Sequence, residues 1–228
     1  MNKFDQSLIL PIPPAVAGIG ETIIYRWMVH FAAAIQDFEE ELNNLDRIIG
    51  DGDHGTNMRR ATNAVVEKLN EMALAEPFAQ LRTISMTMTS TVGGASGPLY
   101  GAFFLQSSHF VPRKSELSLA NLTLAVEGGY RGVVQLGKAT VGDKTMVDTL
   151  DAAVRSLRYS SPNRESLSAA LERCRKATRG AAQNTAPMIA RKGRASYLGE
   201  RSAGIQDPGA TSAHLLFASL ASAVGTRL

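Results

Sequence analysis

The sequence predicts one all-α domain of eight helices. Apolar residues recur at spacings of three and four along most of the chain, and no Pro/Gly/Ser-rich linker divides it. The one stretch with strand-like alternation finds no partner strand. A length of 228 residues fits one large domain or two small ones. With 44% apolar and 20% charged residues, a packed core is expected rather than disorder.

Residues 8–19 (LILPIPPAVAGI) are apolar, and Ala15-Val16-Ala17 mimics a signal-peptidase site. Asp5 precedes the run, however, Lys3 is its only base, and Pro11, Pro13 and Pro14 interrupt it. Residues 1–19 are therefore read as an extended arm on a domain spanning 20–228. The first helix follows from Ile24, Trp27/Met28, Phe31, Ile35, Phe38 and Leu42, read as one continuous stripe of five turns. Met58, Ala61, Val65, Leu69 and Met72 give a second after Thr56, and Phe78, Leu81, Ile84/Ser85, Met88 and Val92 a third. Within the third, Ile84-Ser85-Met86-Thr87-Met88-Thr89 alternates with period two but is kept helical. Less regular helices are expected at 97–110 and 117–138. Met146, Leu150, Val154 and Leu157 mark a sixth, and Leu167, Ala170/Leu171, Cys174, Ala177 and Ala181 a seventh. Ala213, Leu216/Phe217, Leu220 and Val224 mark the last.

Charge and cysteine usage narrow the function. Twenty-four Lys+Arg against 21 Asp+Glu leave a net charge of +3, with no dense basic block, which argues against a nucleic-acid partner. The single Cys174 excludes an internal disulfide framework and a Cys-based zinc site, and suits a reducing, cytoplasmic setting. No run reaches the roughly 18 apolar residues that a membrane-spanning helix needs.

The 20 glycines collect in Gly50–Gly55, Gly93–Gly101, Gly128–Gly142 and Gly193–Gly209, each beside a predicted helix start. Glycine there lets backbone N–H groups approach a ligand closely. In Asp46-Arg47-Ile48-Ile49-Gly50-Asp51-Gly52-Asp53-His54-Gly55-Thr56-Asn57, three aspartates fall within eight residues. Carboxylates so crowded repel unless a cation joins them, and hard oxygen donors suit Mg²⁺ or Ca²⁺. The plainer reading is an Asx-turn with Asp53 or Thr56 capping the next helix. Gly50–Gly55 satisfies G-x-G-x-x-G, but no strand precedes it and its aspartates would repel a bare pyrophosphate. An EF-hand loop from Asp51 would need glycine and glutamate where Thr56 and Thr62 stand. Gly132 to Ala139 falls one residue short of a Walker A loop, and Pro98 spoils a nucleophile elbow at Gly94–Pro98.

Gly93-Gly94-Ala95-Ser96-Gly97-Pro98 opens a helix, either as an anion site or as a tight helix crossing. Gly193-Arg194 to Arg201-Ser202 offers two guanidiniums able to fork onto phosphate oxygens. Asp207-Pro208-Gly209 turns into the last helix. His30, His109 and His214 read as structural, whereas His54 lies inside the aspartate loop. A metal loop, glycine-lined helix openings and an arginine loop together point to a nucleotide phosphate bridged by Mg²⁺. No base for a substrate hydroxyl and no pocket for a small carbonyl compound is evident.

Five ordered blocks resemble the nucleotide-binding L subunit, or L domain, of dihydroxyacetone kinases: GDGDHGTNM at 50–58, GGASGPLYG at 93–101, GDKTMVDTLDAA at 142–153, GRASYLGERSAG at 193–204 and DPGATSA at 207–213. The resemblance implies an eight-helix antiparallel barrel with the nucleotide at one mouth. Asp46, Asp51 and Asp53 match the family's metal ligands, which hold two Mg²⁺ ions. His54, Gly55, Thr56, Asn57, Ala95, Ser96, Gly137, Met146, Arg194, Asp207, Pro208 and Gly209 match positions lining its nucleotide site. It further implies a kinase subunit active only with a substrate-binding K subunit that holds dihydroxyacetone or a related ketose. The phosphate donor is ATP in one branch. In the other it is a retained ADP recharged by a phosphocarrier of the phosphotransferase system. An ADP-loaded module regulating a transcription regulator is the alternative role, and a homodimer is compatible. Ile205 departs from the family pattern, where relatives tend to carry histidine.

Overall fold

The computed structural model describes residues 22–72, 76–111, 118–159 and 165–225. The expected N-terminal arm lies outside them. Nine α-helices are found there: α1 Ile23–Asp37, α2 Glu39–Ile49, α3 His54–Asn70, α4 Pro77–Thr91, α5 Ser96–Ser108, α6 Leu119–Gly137, α7 Met146–Tyr159, α8 Leu167–Asn184 and α9 Pro208–Gly225. A 3-10 segment, Arg194–Ser202, kinked at Gly199, precedes α9.

The all-α class holds, with no strand among the described residues, but the eight-helix barrel is corrected on two counts. First, the stripe from Ile24 to Leu42 is two helices rather than one. The backbone leaves helical geometry at Phe38 (φ −106°, ψ 8°), and Glu39, Glu40 and Glu41 form the first turn of α2. Acidic side chains there favour a helix N-terminus, and the apolar period alone hides the break. Second, α9 is not one stave of an open ring. Its sequence PGATSAHLLFASLASAVG is small or apolar nearly all round and is buried along almost its whole length, against α1, α2, α7 and α8. A helix without a polar face must be surrounded, so the interior is filled.

Local chemistry sets the helix ends. The Thr22, Ser118 and Ser166 hydroxyls cap α1, α6 and α8 by accepting the N–H of Tyr25, Asn121 and Ala169. Pro77 opens α4 where its missing N–H costs nothing. Two of the alternating hydroxyls of α4 face α5: Ser85 Oγ donates to Gly101 O at 2.7 Å, and a Cβ on Gly101 would overlap Thr89 Oγ1. Gly128, Gly129 and Gly132 admit Phe110, Phe103 and Gln106 of the α5 side in the same way. These glycines serve helix crossings. The core is completed by Trp27, Phe31, Tyr100, Phe103, Phe104 and Phe217. Trp27 Nε1 donates to Leu216 O at 2.8 Å across α1 and α9. No described helix is long and apolar enough to cross a membrane.

Candidate functional site

One open cleft of about 230 Å³ gathers the end of α2, the starts of α3, α5 and α9, the α6–α7 loop and the opening of the 3-10 segment. Among the described residues, Asp46, Asp51 and Asp53 form one group whose nearest ligand oxygens all lie within 4.8 Å of one another. Asp46 closes α2 and is almost buried. Its Oδ2 accepts the N–H groups of Gly52, Asp53 and His54 at 2.9, 3.0 and 3.2 Å. That pins the loop around one oxygen. Gly50 is required because a Cβ there would overlap Asp46 Oδ1. Asp51 and Asp53 are exposed, and Asp51 forms an ion pair with Arg194 at the opening of the 3-10 segment. An all-carboxylate set of this size fits a hard divalent cation, so the residues present can hold a metal ion.

The electrostatics agree with that fit. Burial raises the Asp46 carboxyl above its usual range. The N–H groups of Asp53, His54 and Gly52 oppose the rise, and the Asp51 charge adds to it. Asp207 is pushed up to about 7 by burial, although the Ala210 N–H and Lys144 pull it back. Carboxylates held this way are short of positive charge.

His54 is buried, and its imidazole is pushed down to about 4 by desolvation against the pull of Asp53 and Asp51. It stays neutral near pH 7. Its Nε2 meets Ser212 Oγ at 2.9 Å and its Nδ1 meets Ser96 Oγ at 3.3 Å, while Tyr100 Oη meets Ser212 Oγ at 2.8 Å. Ser96 at the start of α5 is thus tied to the core through three side chains.

The other expected positions divide. Asn57, Ala95, Ser96, Met146, Arg194, Asp207, Pro208 and Gly209 line the cleft beside His54. Gly137 lines an adjoining apolar cleft of about 270 Å³, with Pro98, Leu99, Val133, Leu136 and Met146. Gly55 and Thr56 face α2 instead: a Cβ on Gly55 would overlap Glu39 O, and Thr56 bonds to Asn43 and Glu39. The second glycine group divides between cleft and helix crossing. Gly93 and Gly94 line the cleft, while Gly97 and Gly101 pack against α4.

Lys144 and Lys192 also line the cleft and were not singled out by the sequence. Lys144 is buried, which lowers its ammonium while Asp207 raises it. A lysine inside the glycine-punctuated run Gly142-Asp143-Lys144 is the signal that could have marked it.

A fold of helices whose ends converge on a carboxylate loop, an apolar slot and an arginine defines an all-α phosphate-ligand protein. The chain belongs to the DAK2 domain family, whose model matches residues 48–222. It is 45% identical over 203 residues to the ADP-binding subunit DhaL of the PEP-dependent dihydroxyacetone kinase of Escherichia coli (strain K12), covering 89% of this chain and 97% of that one. It is 38% identical over 195 residues to the ADP-binding subunit DhaL of the PTS-dependent dihydroxyacetone kinase of Lactococcus lactis subsp. lactis (strain IL1403), covering 86% and 93%. The dihydroxyacetone kinase from C. freundii in complex with AMP-PNP and Mg²⁺ superposes with a TM-score of 0.66. That match covers 94% of this chain and 35% of that one at 24% identity, a likeness of fold.

Proposed function

We propose that this chain is the nucleotide-binding, phosphoryl-transferring subunit of a dihydroxyacetone kinase system. It passes the terminal phosphate of a nucleotide to dihydroxyacetone or a related ketose held by a separate substrate-binding subunit. The observation that carries this reading is the convergence of the three aspartates with the openings of α3, α5 and α9 on one cleft. The full-length likeness to ADP-binding subunits supports it.

In this reading Asp46, Asp51 and Asp53 hold two Mg²⁺ ions. When bound, the ions neutralise phosphate charge and favour transfer. The dipole of a helix N-terminus favours an anion, which suits the openings of α3 at His54, Gly55, Thr56 and Asn57, of α5 at Ala95 and Ser96, and of α9 at Asp207, Pro208 and Gly209. The dipole acts there even though the N–H groups of His54, Thr56, Asn57 and Asp207 are already bonded within the protein. Gly55 and Thr56 contribute there through the helix opening, since their side-chain positions face α2. Gly137 and Met146 suit the base, in the apolar slot beside the cleft. Arg194, paired with Asp51, turns its guanidinium to the phosphates. Neutral His54 steadies Ser96 without adding charge.

The names of the relatives, PEP-dependent and PTS-dependent, favour a retained ADP recharged by a phosphocarrier of the phosphotransferase system over exchangeable ATP. Denaturing the purified protein and identifying the released nucleotide tests this: stoichiometric ADP is expected. Mixing the chain with a substrate-binding subunit, dihydroxyacetone and a phosphate donor should yield the sugar phosphate by mass spectrometry. No product with any donor would overturn the kinase reading.

A further inference from the structure

Lys144 is 1% exposed and occupies the left-handed region at φ 61°, an uncommon place for a lysine. An ammonium has three donors, and all three meet backbone carbonyls: Thr185 O at 2.8 Å, Ala186 O at 3.2 Å and Ile205 O. The first two follow the end of α8, where the helix dipole favours a cation. The third lies on the stretch leading into α9. The same two stretches are also joined directly, Gly204 N–H donating to Ala186 O at 2.7 Å and Asp207 N–H to Thr185 Oγ1 at 2.9 Å. A side chain from the α6–α7 loop therefore fastens the end of α8 to the start of α9. The cleft wall at Met146 and at Asp207–Gly209 is built on two of the three segments it joins.

We infer that Lys144 is a positioning residue for nucleotide binding, acting through the backbone carbonyls it holds rather than by contact with the ligand. The inference rests on the proposed nucleotide site and names a residue at its wall whose three donors are spent on backbone carbonyls. Ile205 takes part through its carbonyl, while its side chain packs against Ile49, Ala190 and Ala195. The hydrogen bonds that pin the metal loop, from Gly52, Asp53 and His54 to Asp46, involve none of the carbonyls that Lys144 holds.

Lys144→Met keeps the apolar stem and removes the donors. In ligand-free protein the Gly204 and Asp207 amides should exchange with deuterium faster. ADP affinity in the presence of Mg²⁺ should fall about tenfold or more. Mn²⁺ binding without nucleotide, read by electron paramagnetic resonance, should stay within about twofold because the hydrogen bonds that pin the metal loop are left in place. Thr185→Ala and Thr185→Ser give a second arm that does not depend on Lys144→Met folding. Alanine loses the Asp207 tie and weakens ADP binding, and serine restores it. Unchanged exchange and ADP affinity in Lys144→Met, equal behaviour of the two Thr185 variants, or loss of Mn²⁺ binding along with ADP overturns the inference. If the parent chain binds no ADP while exchange still quickens in Lys144→Met, the nucleotide reading fails and the fastening of α9 stands.

Discussion

Asp46 gives one carboxylate oxygen to the N–H groups of Gly52, Asp53 and His54, whereas exposed Asp51 meets only the Arg194 side of the cleft. The two residues should therefore fail differently. Asp46→Ala removes the acceptor of three backbone N–H groups and should cost about 1–3 kcal/mol of stability. Asp51→Asn should leave stability within about 0.5 kcal/mol, as expected of an exposed position, while weakening Mg²⁺-dependent nucleotide binding and abolishing transfer. Urea unfolding beside calorimetric titration separates the two, and an Asp51→Asn protein with full activity would remove that carboxylate from the metal set. At this scale the sequence was most legible where chemistry is local. Three aspartates in eight residues announce themselves by crowding. Lys144 does not, because its partners at 185, 186 and 205 lie 41 to 61 positions away.

Helix identity was legible from period, and helix boundaries less so. The Ile24–Leu42 stripe passes through Phe38 without a missed apolar position, so only the acidic triplet after it betrays a new start. Glycine was read as a mark of ligand approach, and Gly93 and Gly94 do line the cleft. In α5 and α6 it marks contact between helices, because spacing does not reveal which neighbour a glycine faces. The α4–α5 crossing gives a test. Gly101→Ala would drive a methyl into Thr89 Oγ1 and should destabilise by about 1–3 kcal/mol through overpacking. Adding Thr89→Ala should return part of that loss. A shift in urea midpoint that is the same in the single and double variants would show that the two residues do not meet.

For the molecule as a whole, buried histidines and a buried acid give opposite pH responses. His214, whose Nδ1 meets Thr178 Oγ1 at 3.1 Å, is pushed down to about 3 by burial, with Arg175 and Arg179 adding to the shift. His54 is pushed down to about 4. An unfolded imidazole titrates near 6.5, so below about pH 6.5 the unfolded chain takes up protons that the folded chain refuses. Stability contributed by these neutral rings is intact above that pH and drains away toward 3 to 4. Asp207, raised to about 7, works the other way: the fold binds its proton first and gains as pH falls from there toward the usual carboxylate range. His214→Asn should therefore lose about 2 kcal/mol less than the parent between about pH 7.5 and about pH 5. Equal losses in chemical denaturation at both pH values would refute the assignment.

The enclosed position of α9 also bears on how the chain reaches its folded form. Trp27 waits for a carbonyl 189 positions downstream, and the interior it belongs to lacks the side chains of α9 until that late segment arrives. Contacts of such long sequence separation are slow to form. A nascent chain carrying only the earlier helices leaves the apolar faces that pack on α9 uncovered, the kind of surface through which incomplete chains aggregate.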